Sequence, residues 1–469
     1  MPASLRTGTM SALRLPACSG PVSSLTASPM PTKTRRARKH LSHRYWKFTL
    51  GEWISLTLAV LGLVLVFCLF FIRRQTLDYH LEHTFAVRSP EFFGSALALT
   101  DPVPVAGNKI ELLQNGDEYF PAMLKAIRSA EQTVNFASYI VKSDGVGHQF
   151  RDAFCERARA GVEVRVLLDG IGSGWSLANS DVRMMTDAGC KFAYYHPVRS
   201  WRMDRTNRRS HRRVLVVDGK IGFTGGTAFA DKWSGHAQDE HHWRDTQVRM
   251  EGPIVNSLQS AFQGHWVKTF HEALTGAAQF PALPPAGDLK TQIVESHSFS
   301  IAPIPLLQAV TFAAAEKRIW IANPYCTPTD DQVELLVKAV KRGVDVRLML
   351  PGPHNDQPLT QSAGRTAYGR MLEGGVKIFE YQPTMIHSKT MVADGIFSMI
   401  GSSNLDARSS EINEELDLVV YDERFGRLME QTFERDLAQS RQYTLQEYKS
   451  RSLWERTTEW LALPFRSQL

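Results

Sequence analysis

Hydrophobic and polar positions follow three periods along this chain. Ile54–Ile72, ISLTLAVLGLVLVFCLFFI, is nineteen residues without a charge. At about 1.5 Å per residue, a helix of that length just spans a bilayer core of roughly 30 Å. Tyr45, Trp46 and Trp53 on one side, and Arg73 and Arg74 on the other, are flanks suited to a span. Beyond it, short apolar runs alternate with helix-period stretches, and the whole pattern occurs twice. RAGVEVRVLLDG (159–170) is answered by KRGVDVRLMLPG (341–352), AIRSAEQTVNFASYI by VTFAAAEKRIWIANPY, and DAGCKFAYYHP by EGGVKIFEYQP. Helix then buried strand is the order in both. The expectation is an α/β protein of two duplicated lobes, 106–274 and 291–447, each a mixed β-sheet flanked by helices. The Gly/Pro-rich stretch 275–290 is the linker. A tail (1–52), a transmembrane helix (53–73), a juxtamembrane segment (74–105) and an amphipathic helix (448–469) complete the expected organisation.

Charge sharpens the N-terminal part. The formal net charge of the 469 residues is +6, but residues 1–50 hold nine Lys/Arg and no acid. The rest carries 45 basic and 48 acidic residues, a net −3. That is not the footprint of a nucleic-acid partner. A retained signal anchor with the basic tail in the cytoplasm and residues 75–469 on the other side fits the positive-inside rule. A cleaved signal peptide fits less well, since RRQTLDYH lacks a small-residue cleavage site. A transit peptide and a buried core helix are the other readings. Residues 1–32, rich in Ser, Pro, Thr and Ala, read as disordered, with Met30 a second candidate start. Cys18, Cys68, Cys155, Cys190 and Cys326 are widely spaced, which argues against a disulfide framework or a zinc site and leaves only a Cys155–Cys190 bridge open.

The repeat carries chemistry. His387, Lys389 and Asp394 each stand 176 positions after His211, Arg213 and Asp218. Each motif is predicted to run into a strand and a Gly-rich turn, DGKIGFTGG (218–226) and DGIFSMIGSSN (394–404). Alternate residues of an extended segment share a face, so each histidine lies beside a cation. Imidazole serves as nucleophile or general acid near neutral pH, and Lys or Arg holds phosphate oxygens. Backbone N–H groups of the turns at Gly225, Gly226 and Ser402 are candidate anion contacts. Two such copies flanking one phosphate need no metal and no cofactor. His236, His241 and His242, near Asp239 and Glu240, form a weaker candidate metal cluster, and Tyr139 and Tyr325 end equivalent strands.

Two H-x-K-x4-D-like motifs in a repeat resemble the phospholipase D superfamily over about residues 106–447. NRRSHRR (207–213), HWRDTQVRMEGP (242–253) and GSSNLDARSSEINEELDLVVYD (401–422) are similar to bacterial cardiolipin synthases. The resemblance implies a site at the lobe interface and a phosphohistidine intermediate, with His211 as nucleophile and His387 as acid, then base. It also implies a carboxylate beyond each motif that orients its imidazole, with Asp245 and Glu415 the best matches, and a substrate-facing Asn404. Asp218 and Asp394 read as structural salt-bridge partners. Arg213 replaces the family's Lys, Thr227 and Ala228 stand where an Asn is usual, and Ser410 replaces a frequent aromatic. The implied activity is a membrane-anchored phosphatidyltransferase at the bacterial inner membrane, making cardiolipin from two phosphatidylglycerols. Hydrolysis or transfer on other phospholipids, a nuclease, and an inactive lipid-binding module are the alternatives. Leu453, Trp454, Trp460 and Leu461 fall near one helical face, which either lies on the membrane or packs on the catalytic domain.

Overall fold

The computed structural model describes residues 49–71, 81–100, 103–198, 207–297, 302–466 and 468, with side chains omitted over 65–71. Most of the basic tail, Cys18, Arg73 and Arg74 lie outside the described residues. The chain divides into two units, Met1–Leu63 and Val64–Leu469. The apolar run forms a helix, Leu50–Phe71, whose described side chains are all exposed. Among the described residues no helix is long and apolar enough to cross a membrane, so insertion of this run stays a proposal.

The larger unit is a mixed α/β fold. Its first-half strands are β1 (Val105–Gln114), β2 (Thr133–Ser138), β3 (Glu163–Asp169), β4 (Lys191–Tyr195), β5 (Val214–Val217), β6 (Ile221–Gly225) and β7 (Thr246–Glu251). The second half supplies β8 (Leu289–Glu295), β9 (Arg318–Ala322), β10 (Cys326–Thr327), β11 (Asp345–Pro351), β12 (Lys377–Tyr381), β13 (Thr390–Ala393), β14 (Phe397–Gly401), β15 (Leu405–Asp406), β16 (Leu416–Tyr421) and β17 (Ser440–Tyr443). Fifteen of them form one sheet in the order β17-β12-β11-β9-β13-β14-β16-β8-β1-β7-β6-β5-β2-β3-β4. The order reads the same from both ends once β17 is set aside: β12, β11, β9, β13, β14, β16, β8 mirror β4, β3, β2, β5, β6, β7, β1. The expected lobe sheets are therefore continuous, joined by the antiparallel β1–β8 pair. β8 begins inside the stretch expected as linker.

Strands such as β2 and β14 are buried at every position, as a sheet covered on both faces requires. One face is covered in the first half by helices Asn115–Arg128 and Gly145–Arg159, and in the second by Pro303–Ala314 and Asp330–Lys341. Helices Ile254–Phe270 and Glu423–Leu437 cover the other face, in a core that draws Val248, Trp266, Ile293, Trp320, Ile400 and Phe433 from both halves. The segment 74–105 holds an unforeseen helix, Pro90–Leu99, N-capped by Ser89. Its Phe92 is buried edge-on against Phe397, 5.7 Å between centroids. Cys155 and Cys190 are both free, so the bridge left open is not formed.

Candidate active site

Each histidine motif lies just ahead of a strand, with His211 and Arg213 leading into β5 and His387 and Lys389 into β13. Both segments pair with the opposite half. His211 N–H donates to the Glu414 carbonyl (2.9 Å) and Glu414 N–H to the Arg209 carbonyl (2.9 Å). Arg244 N–H donates to the Met385 carbonyl (2.9 Å) and His387 N–H to the Arg244 carbonyl (2.7 Å). These cross-links bring the two motifs together, and all four chemical side chains are buried.

The carboxylates cross as well. The resemblance implied that the carboxylate beyond each motif orients that motif's own imidazole, and the structure reverses the pairing. Glu415, of the second half, contacts Nδ1 of His211 at 2.9 Å. Asp245, of the first half, contacts Nδ1 of His387 at 2.8 Å. The segments before β7 and β16 run along the seam between halves, so each acid faces the partner's motif. With Nδ1–H donated to a carboxylate, Nε2 is left as the lone-pair nitrogen in both rings.

The cations occupy equivalent places. Arg213 Nη2 lies 2.8 Å from His211 Nε2, and Lys389 Nζ 3.1 Å from His387 Nε2. Each also donates to its own histidine's carbonyl. Arg213 thus stands in for lysine with the same contacts, which removes the observation that motivated an inactive module. Burial, then Arg213, Lys389 and Arg408, holds His211 well below the usual histidine range. Burial and Lys389 bring His387 down to about 4. Burial pushes Lys389 down to about 7 and Glu415 up to about 7. Because Lys389 depresses His211 and Arg213 depresses His387, each imidazole lies within the field of both cations.

Glu415 also accepts Ser402 Oγ (2.6 Å), Ser409 Oγ (2.7 Å) and Asn413 Nδ2 (3.3 Å). Asp245 accepts the indole N–H of Trp233 (3.0 Å). Trp233 went unread, although a signal existed. Placing GGTAFADKW (225–233) over GSSNLDARS (401–409) sets Trp233 on Ser409, and both donate to an orienting carboxylate. Tyr139 meets the His211 ring edge-on at 5.0 Å and Tyr325 the His387 ring at 6.0 Å, so both line the site.

Two expectations need correction. Asp218 and Asp394 sit seven residues past their histidines, roughly 20 Å along an extended chain. Each accepts three backbone N–H groups, from Glu131, Gln132 and Thr133 and from Glu316, Lys317 and Arg318, and so pins the start of β2 or β9 instead of pairing with a cation. Two of the turn N–H groups are spent: Gly226 N–H on the Thr246 carbonyl (3.2 Å), and Ser402 N–H on the Leu416 carbonyl (3.0 Å) and Asp417 Oδ1 (2.8 Å), while Gly225 ends β6 opposite Gln247 of β7. Gly226 serves close approach instead, since a Cβ there would lie 2.5 Å from Asp245 Oδ1. Asn404 keeps a buried side-chain oxygen without a hydrogen bond, which leaves it able to meet a ligand. His236, His241 and His242 pair separately with Asp117, Glu240 and Asp239, and among the described residues no cluster of ligands has metal-binding form.

Paired imidazoles, each backed by a carboxylate and touched by a cation, are the equipment of a phospholipase D-type enzyme. Residues 123–266 and 309–437 match the family described as "Cardiolipin synthase, PLD-like domain". The chain is 34% identical over 360 residues to the "Probable cardiolipin synthase YwiE" of Bacillus subtilis, covering 76% of this chain and 72% of that one. It is also 34% identical to "Cardiolipin synthase 2" of Bacillus cereus, covering 74% and 68%. The crystal structure of phosphatidylserine synthase from Haemophilus influenzae shares the fold, with a TM-score of 0.64 at 13% identity, covering 80% of this chain and all of that one. The chain belongs to the cardiolipin synthase family of PLD-like domain proteins.

Proposed function

We propose that this protein joins two phosphatidylglycerols into cardiolipin and glycerol. The observation that carries the reading is the crossed pair of imidazoles, His211 on Glu415 and His387 on Asp245, each with a cation at Nε2. A phosphodiester entering between them takes Arg213 and Lys389 off the ring nitrogens and onto its oxygens. Its negative charge raises the nearby imidazoles, and His387 takes a proton on Nε2. His211 Nε2 attacks phosphorus, the bond to the glycerol oxygen breaks, and His387 protonates that oxygen. Glycerol leaves and a phosphohistidine remains. The glycerol hydroxyl of a second phosphatidylglycerol then gives its proton to His387 and attacks phosphorus, and the P–N bond breaks to free His211.

Insertion of the Ile54–Ile72 run as a single cytoplasm-to-outside span at the bacterial inner membrane belongs to the same proposal. It keeps the site beside its substrate. Purified protein incubated with phosphatidylglycerol vesicles is expected to yield cardiolipin and one glycerol per cardiolipin. Phosphatidic acid without cardiolipin would overturn the synthase reading in favour of hydrolysis.

A further inference from the structure

The helix Leu453–Ala462 answers both readings of the amphipathic segment at once. One face packs: Ala462 and Glu459 are buried, and the helix rests against helix Pro358–Glu373. The other face carries Leu453, Trp454, Trp460 and Leu461 in the open, with Trp454 75% and Trp460 68% exposed. Both acids of the helix are occupied away from that face. Glu455 closes the Ser452 cap (2.8 Å to N and to Oγ), and Glu459 pairs with Arg451. What remains outward is apolar, Thr457 and the cation Arg456.

Beyond this helix the chain reaches the segment that leads into the first motif. After the helix, Arg466 donates to the Pro328 carbonyl, and Gln468 reaches Asn207 (3.0 Å) and, through its carbonyl, Arg408 (3.1 Å). Asn207 is four residues before His211, and Arg408 is among the cations that depress it. Two further exposed apolar residues follow the equivalent strands β3 and β11, near the tyrosines of the site. Trp175, 82% exposed, follows β3 on a loop whose Gly172 packs on Tyr139. Leu359, also exposed, follows β11 beside Asp356, which accepts the Tyr325 hydroxyl (2.9 Å). Tyr139 and Tyr325 are the rings against the two histidines.

We propose that Leu453, Trp454, Trp460 and Leu461, with Trp175 and Leu359, form a lipid-docking face that seats the mouth of the site on an anionic bilayer. Tryptophan and leucine on one helix face, edged by arginine and free of carboxylate, is the chemistry that settles at a headgroup–acyl boundary. A long-chain substrate then passes from the bilayer to the histidines without its chains crossing water. The proposal rests on the phospholipid reading above.

The test uses the full chain in nanodiscs of phosphatidylglycerol and phosphatidylcholine, the latter with or without bromine at the 6,7 acyl positions. The emission of the wild type minus that of W454F/W460F isolates these two indoles from all others, Trp53 within the helix Leu50–Phe71 included. Bromination is expected to quench that difference by half or more. Unchanged difference emission overturns the proposal, and a doubled mass per disc alongside it assigns the face to a second copy of the chain. In a second arm, L453Q/W454Q/W460Q is expected to raise the apparent KM for vesicle phosphatidylglycerol about tenfold while leaving kcat on monomeric dihexanoyl-phosphatidylglycerol unchanged. Equal effects on both substrates also overturn it. Wild type inactive on both, with quenching intact, refutes the phospholipid reading alone.

Discussion

Replacing Glu415 by Gln probes the crossed arrangement most directly. The carboxyl is wholly buried, and burial lifts it from 4.5 to about 7 against the pull of Ser402, Arg213, Ser409 and Asn413. A carboxyl raised on folding holds its proton more tightly in the folded state. Its ionisation therefore destabilises the fold, a cost absent below about pH 4.5 and fully developed above about pH 7. At about 1.4 kcal/mol per unit, that cost is about 3 kcal/mol. Gln keeps the shape and cannot ionise. E415Q is expected to lose the part of the wild type's fall in stability between pH 5 and 8 that this ionisation causes. Transfer should move the opposite way. Without an anion on Nδ1, the amide can turn its N–H toward the ring and select the tautomer with no lone pair on Nε2. Such a change in a carboxylate–histidine pair lowers kcat by roughly 10⁴-fold. Melting curves across pH 5–8, together with initial rates of glycerol release from phosphatidylglycerol micelles, read both effects. A kcat within tenfold of wild type, or a melting temperature that falls with pH as steeply in E415Q as in the wild type, refutes the reasoning.

Other substitutions separate roles. H211A is expected to abolish phosphoenzyme formation even from a phosphatidyl ester with a p-nitrophenol leaving group, while H387A retains a burst with it, because that group leaves unprotonated; rapid-quench trapping of labelled enzyme distinguishes them. R213K is expected to stay within tenfold of wild-type kcat, since Lys389 makes the same contacts in the other half, whereas R213A loses roughly 10²-fold or more, measured by steady-state rates. D218A leaves three backbone donors at the start of β2 without their acceptor and is expected to cost about 2–4 kcal/mol in denaturant unfolding, with kcat per folded molecule near wild type. G226A forces a Cβ onto Asp245 and is expected to lower kcat while sparing global stability, by the same rate and melting assays.

The helix-then-strand alternation of the two halves and the motif pairs were legible because duplication prints them twice, and a strand covered on both faces reads as an apolar run. The direction of the carboxylate pairing was not legible. Counting 34 residues from His211 to Asp245, or 28 from His387 to Glu415, says nothing about which imidazole lies across the seam. The turn glycines misled for a related reason: a Gly-rich turn offers N–H groups to an anion only when neighbouring strands leave them free, and β7 and β16 do not. Helix Pro90–Leu99 was hidden because ten residues carry too little periodicity, and its partner Phe397 lies some three hundred positions away.

The exchange of carboxylates across the seam has a genetic corollary. Asp245 lies near His211 in sequence yet pairs with His387, 142 positions away, and Glu415 pairs with His211 across 204 positions. Epistasis should therefore run between the halves: H211A masks E415Q, and H387A masks D245N, while neighbours on one half behave as independent lesions. Neither half alone holds a complete histidine–carboxylate pair, because each imidazole takes its acid from the other half, so separating the halves as two polypeptides is expected to leave both inactive until they reassemble.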